Sequence, residues 1–301
     1  MSSRAPHLPD WRRRGILAVV WLWSALFVLL PLGLILKISF AEAQMSVPPY
    51  SELFARANGT IVGLKITLAN YATLFGDGLY LKAYLSSLKI ALIATIIALL
   101  LGYPMAYAIA RAPVARRGML LVLVMLPFWT SFLVRIYAWM TLLRPTGVIN
   151  TALESMGLIA APLHMLNTTG AVYLGLVYAY LPFMILPLYA RLEKLDPALL
   201  ESAADLGARP WRAFIGVTLP LSWPGILAGS LLVFIPAMGE FVIPELLGGP
   251  DTLMIGKVLW NEFFAGRDWP LAAAATVLLL MVLVGPMMVL QALQTRRAGL
   301  P

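Results

Sequence analysis

Residues 191–220 read RLEKLDPALLESAADLGARPWRAFIGVTLP, and this polar stretch decides how the chain is organised. It holds four of the 22 basic and four of the 14 acidic residues and lies between two long apolar blocks. Asp196 suits a helix N-cap, and Pro197 suits the first helical position, where its missing N–H costs nothing. Residues 198–206 are mostly good helix formers, and Gly207 stands where a C′ glycine ends a helix. Pro210 suits the first turn of a second helix over 211–217, ended by Leu219-Pro220. Leu199, Ala203 and Leu206 fall on one face. Glu201 and Asp205 fall on another at i, i+4, where like charges are mildly destabilising unless a partner supplies cations. These residues fit an amphipathic hairpin at the membrane surface and a docking element for a cytoplasmic protein equally well.

The rest of the chain reads as membrane. Of 301 residues, 61% are hydrophobic and only 12% charged, with a mean hydropathy of +0.86. A soluble domain carries about 45–50% apolar and about 25% charged residues. The absence of cysteine excludes disulfides, thiolate metal sites and cysteine nucleophiles. Arg12-Arg13-Arg14 followed by an apolar run, with Ala41-Glu42-Ala43 beyond, has the outline of a signal peptide. The run exceeds the roughly 7–15 residues of a signal core, so the expectation is a first membrane helix.

Six spans are expected, at about 16–38, 84–110, 118–143, 170–190, 223–247 and 269–293. Residues 39–83 form a long external loop punctuated by Pro48-Pro49, Asn58-Gly59 and Gly76-Asp77-Gly78. A short amphipathic helix is expected over 253–264. Lys and Arg number thirteen on the side holding both termini, the 111–117 loop and the 191–220 stretch, against six on the other. The positive-inside rule therefore places both termini and that stretch in the cytoplasm. The net charge of +8 is thus distributed as topology requires, which argues against nucleic acid as a partner. Gly225-x-x-x-Gly229 permits close helix packing.

The run Glu201-Ser202-Ala203, three residues, Gly207, nine residues, then Val217-x-Leu219-Pro220 resembles the EAA loop of permease subunits of ATP-binding-cassette importers. Two positions depart from that family's pattern, Ser202 for Ala and Val217 for Ile. The stretches 131–139 (SFLVRIYAW), 177–183 (VYAYLPF) and 239–249 (GEFVIPELLGG), with Asp268-Trp269-Pro270, look like the polyamine branch, the putrescine and spermidine permeases. Ser46 to Leu53 (SVPPYSEL) leans toward the putrescine type. The resemblance implies an all-α polytopic membrane protein with the six-helix type I importer permease fold, in a bacterial inner membrane. It implies a single permease domain over 1–301, with 191–220 as the coupling loop and 39–83 in the periplasm. It makes Glu201, Ala203, Gly207, Leu219 and Pro220 the residues that couple to an ATPase, and Asp205 joins Glu201 in the acidic pair. The implied partners are a second homologous permease, two copies of the ATPase and a periplasmic polyamine-binding protein. ATP and Mg would be held by the ATPase, with no cofactor in this chain.

Two ionisable residues sit well inside spans, where such groups line a cavity or pair with one another. Arg135 and Glu240 each lie 17 residues from the cytoplasmic start of their span, roughly 25 Å along it. An Arg135–Glu240 contact is geometrically open, as is Arg135 snorkelling outward. Pro236, Gly239 and Pro244 around Glu240 break a helix, which membrane depth tolerates only beside protein or a water-filled cavity. A carboxylate there suits an alkylammonium through charge-assisted hydrogen bonds. Trp129, Tyr137, Trp139, Tyr178 and Tyr180 are candidates for cation–π contact with substrate, although aromatic belts and core packing account for most membrane Trp and Tyr. Glu245, Asp251 and Asp268 face outward, toward a substrate-loaded binding protein or simply toward water.

Catalytic signatures are absent. Gly256-Lys257 has neither the leading glycine nor the following Ser/Thr of a phosphate-binding loop. His7 and His164 are far apart in sequence and lie in loops, which suits no metal site. The chain reads as a transport subunit rather than an enzyme. The alternatives are an ion-gradient-driven secondary carrier of organic cations, with Glu240 as a proton site, and an intramembrane enzyme or scaffold.

Overall fold

The computed structural model describes residues 10–52, 54–57, 60–250 and 252–298. They fall into two compact units, one of residues up to Gly78 with those from Leu259 onward, the other of residues from Leu79 to Val258.

In the first unit, α1 (Asp10–Ser24) runs through a π-turn (Ala25–Leu29) into α2 (Leu30–Ser39). Most of the apolar side chains from Leu17 to Leu36 are exposed, as a lipid-facing helix requires. The π-turn sits just before Pro31, where the ladder must make room for a ring and a missing N–H. The loop that follows holds a hairpin of β1 (Phe54–Ala57) and β2 (Thr60–Leu64), antiparallel with Phe54 opposite Leu64. This small sheet adds to the expected all-α body, and the Asn58-Gly59 pair lies outside the described residues. Next comes α3 (Ala69–Gly76). Asn70 donates to the Ser39 and Ala41 carbonyls at 2.9 Å, and the Tyr71 hydroxyl donates to Ser39 Oγ at 2.8 Å, pinning the end of α2 to α3.

The second unit is built on α4 (Gly78–Arg111), which starts six residues before the expected span. Its buried face repeats at helical spacing and is rich in small residues, among them Ala83, Ser87, Ala91, Ala94, Ala98, Gly102 and Ala106, with Tyr80, Ile90, Tyr103 and Ile109 beside them. A Cβ on Gly102 would lie 2.9 Å from Met184 Cγ, so this face is a close-packing seam. The span expected over 118–143 is not one helix. Instead, α5 (Val114–Met125) passes through a 3₁₀ turn (Leu126–Trp129) into α6 (Phe132–Leu142), with an 85° bend. Thr130 and Ser131 are extended, with ψ of 152° and 136°, and Pro127 withholds a ladder donor just before them.

A short helix, α7 (Val148–Ser155), precedes α8 (Thr169–Leu192). The polar stretch forms α9 (Ala198–Asp205) and α10 (Pro210–Ala213), and a π-turn (Phe214–Thr218) leads directly into α11 (Leu219–Met238). The second helix is therefore not ended by Leu219-Pro220. The helix continues for 29 residues from Pro210 to Met238, the π-turn accommodating Pro220. The span expected over 223–247 stops at Met238, and α12 (Val242–Leu246) follows the break at Gly239-Glu240. Then α13 (Ile255–Phe264), the expected amphipathic helix, leads to α14 (Trp269–Ala298), which packs along α2 and α3 within the first unit.

The tightest pairing in the second unit is α8 with α11. A Cβ on Gly225 would lie 2.9 Å from Arg191 Cβ, and one on Gly229 would lie 3.0 Å from the Met184 carbonyl. The Gly-x-x-x-Gly stripe is the contact surface. Among the described residues, four helices are long and apolar enough to cross a membrane, or five when the bent pair α5–α6 counts as one span.

Candidate functional site

The first candidate surface is the polar stretch. The Asp196 carboxylate accepts the Ala198 N–H at 3.0 Å, as an N-cap should. Gly207 has φ +80°, its N–H donates to the Ala204 carbonyl at 2.8 Å, and the Ala208 N–H donates to Ala203 at 3.0 Å. These bonds satisfy the helix's last carbonyls through a left-handed residue. A Cβ there would meet nothing, so glycine is required by conformation and not by space.

Leu200, Ala204 and Ala208 line a hollow of about 260 Å³ with Tyr107, Pro210, Ala213, Phe214 and Thr218. The Phe214 ring stands edge-on to Tyr103 and Tyr107, at 5.6 and 6.1 Å. Leu199 and Leu206 are left outside, Leu206 89% exposed, with Ala203 half-buried. Glu201, Asp205, Gly207 and Pro220 are exposed, and Leu219 is half-buried. No ion pair involves Glu201 or Asp205 among the described residues. The surface thus offers an unneutralised acidic pair beside an exposed leucine, Leu206. Arg117 pairs with Glu193 at 3.2 Å, bringing the 111–117 loop to the same end of the unit.

The second candidate site is the break after α11. One Glu240 carboxylate oxygen accepts the Phe241 and Val242 N–H groups at 3.2 and 3.0 Å, capping α12. The other accepts the Tyr180 hydroxyl from α8. No cation pairs with this carboxylate among the described residues. Two glycines hold the break. Gly175 lets α12 sit against α8, since a Cβ there would fall 2.7 Å from Leu247 and 2.9 Å from Ile243. A Cβ on Gly256 would collide with the Gly239 and Glu240 carbonyl oxygens, the latter at 2.5 Å. Gly256, noticed in the sequence only for an imperfect phosphate-loop pattern, therefore presses the start of α13 onto the Glu240 backbone. The Ser87 hydroxyl accepts the Ile255 N–H at 2.7 Å and anchors the same helix start to α4.

Arg135 neither pairs with Glu240 nor snorkels. It is 9% exposed, and its Nε and Nη1 have no hydrogen-bond partner. Its guanidinium lies over Phe128 at 4.9 Å and Phe132 at 5.8 Å. Equal depth did not bring it to Glu240, because aromatic rings stand beside it: Phe128 is edge-on to Phe183 at 5.0 Å, and Phe183 lies 6.3 Å from Tyr180. Neither phenylalanine had a sequence signal beyond apolarity. Trp139 and Tyr178 pack edge-to-face at 5.4 Å. Trp129, 76% exposed, and Tyr137 face outward from the bent pair.

Of the three carboxylates expected to face outward, two lie among the described residues and differ in their partners. Glu245 pairs with Lys257 at 3.0 Å. Asp268 accepts the Leu271 N–H at 3.0 Å and caps α14, while lining a hollow of about 680 Å³ with Gln44, Met45, Ser46 and Arg267. Asp251 lies outside the described residues. Among the described residues no group of His, Asp and Glu could hold a metal.

Residues 5–299 match the family of binding-protein-dependent transport system inner membrane components. The chain belongs to this family. It is 45% identical over 260 residues to the spermidine/putrescine transport system permease protein PotB of Haemophilus influenzae, covering 86% of each chain. It is 43% identical over 261 residues to the PotB protein of Escherichia coli, covering 87% of this chain and 90% of that one. The inner membrane ABC transporter permease protein YdcU of Escherichia coli is 39% identical over 225 residues, 71% of each chain. Among solved structures, a bacterial ABC transporter involved in import of the acidic polysaccharide alginate superposes with TM-score 0.65 at 22% identity, over 97% of each chain. The fold is therefore that of the type I importer permeases. The chain is an inner-membrane transport subunit that works with a binding protein and is not itself an enzyme.

Proposed function

We propose that this chain is the permease subunit of an ATP-driven importer that carries polyamines, putrescine and spermidine, from the periplasm to the cytoplasm. The observation that carries the reading is Glu240: an intramembrane carboxylate at a helix break, bonded to neutral donors and lacking a cation. Substrate ammonium supplies that charge. Its N–H donors suit the carboxylate, beside which stands the Tyr180 ring. The spermidine/putrescine relatives support the polyamine class without separating the two amines.

In this reading residues 1–301 form one permease domain of six spans, α14 being the last, with both termini in the cytoplasm. A second, homologous permease completes the passage. Two ATPase subunits hold ATP and Mg and seat on Glu201, Asp205, Leu206 and Gly207. A periplasmic polyamine-binding protein meets the side carrying Glu245, Asp251 and Asp268, and its closure together with ATP-driven ATPase closure shifts the population between outward and inward openings.

The test is uptake of labelled spermidine and putrescine into vesicles holding the assembled complex. Uptake that requires ATP and the loaded binding protein supports the proposal. Uptake driven by an ion gradient without the ATPase overturns it.

A further inference from the structure

The buried guanidinium of Arg135 has two nitrogens without partners. A charge left uncompensated at membrane depth is costly, so such a group is expected to meet an acceptor at some point in the working cycle. Its chemical complement lies in the same unit. The Glu240 carboxylate has three neutral donors and no cation. The helix that carries Arg135, α6, packs against α12, which Glu240 caps. A run of ring contacts leads from Arg135 over Phe128 to Phe183 and on to Tyr180, which bonds the Glu240 carboxylate.

We propose that Arg135 is a tethered cation that exchanges with substrate ammonium for Glu240. This deepens, and rests on, the reading of Glu240 as the amine site. While an ammonium occupies the carboxylate, the guanidinium rests on the Phe128 and Phe132 rings, the contacts it makes here. When the ammonium leaves, Arg135 swings past Phe128 and pairs with the carboxylate. The pivot is the extended pair Thr130-Ser131 at the 85° bend, within one turn of Arg135. The exchange speeds release, because departing substrate is replaced rather than leaving a bare carboxylate. It also keeps inorganic cations from occupying the site between turnovers.

The experiment is a double-substitution cycle in the assembled importer, measuring uptake of labelled spermidine in vesicles and separating KM from kcat. Glu240→Gln should raise KM. Arg135→Gln should lower both KM and kcat about fivefold or more, since substrate then leaves without a competitor, and Arg135→Lys should restore both to within about twofold. In the Glu240→Gln background, Arg135→Gln should change nothing further. An unchanged or raised KM for Arg135→Gln, or effects that simply add in the double variant, overturns the exchange. Should Arg135→Gln not assemble, the lysine variant decides: KM near the unsubstituted value supports exchange, and a raised KM overturns it. If Glu240→Gln leaves KM unchanged, the amine site itself is wrong. If it raises KM but Arg135→Gln does not lower it, only the exchange fails.

Discussion

The Tyr180 hydroxyl donates to the Glu240 carboxylate, tying α8 to the break that follows α11. This bond sets the orientation of the carboxylate oxygen not used in capping α12. Tyr180→Phe removes the donor while keeping the ring. A hydrogen bond to a charged group contributes about 1.5–3 kcal/mol, so KM for spermidine should rise at least several-fold. Uptake kinetics check this, with complex assembly unchanged.

Gly256 offers a sharper probe, because it touches the site only through backbone. Gly256→Ala places a methyl against the Gly239 and Glu240 carbonyls, which cannot rotate away. The expected result is loss of most uptake while the chain still inserts and co-purifies with its partners. Gly33→Ala is the matched control, since a Cβ there meets nothing.

At the polar stretch, Gly207 has open space but φ of +80°. A β-branched residue there carries a left-handed penalty of at least about 1–2 kcal/mol, whereas asparagine tolerates the region. Gly207→Val should therefore weaken ATPase co-purification and uptake strongly, and Gly207→Asn only slightly. If the two behaved alike, conformation would not be what the glycine supplies.

Much of this was legible in residue order, and the exceptions share a cause. The N-cap at Asp196, the break at Gly207 and the Gly225–Gly229 seam each depend on a few neighbouring residues, and each was readable. The break at Thr130-Ser131 was not. Pro127 precedes it, but Pro104, Pro182, Pro187 and Pro224 sit inside continuous helices, so proline alone does not mark where a span bends. The hollow beside α9 was not readable, because Tyr107 and Phe214, which line it with Leu200 and Ala204, are distant in sequence. Glu245 and Asp268 looked alike as loop acids; that one is paired and the other caps a helix depends on tertiary neighbours.

Ser87 is fully buried on the small-residue face of α4 and accepts the Ile255 N–H. Ser87→Ala leaves that N–H buried without a partner, a loss of about 1–3 kcal/mol. The purified complex should unfold at a temperature lower by a few degrees, measured by thermal scanning, with KM little changed because the Glu240 carboxylate keeps its donors.

The most direct test of the central claim is to measure labelled spermidine uptake and ATP hydrolysis together in vesicles carrying Glu240→Gln. The account predicts uptake reduced at least tenfold while hydrolysis stimulated by the binding protein continues, because the coupling surface at Glu201 to Gly207 is untouched. Uptake at the unsubstituted rate would contradict it.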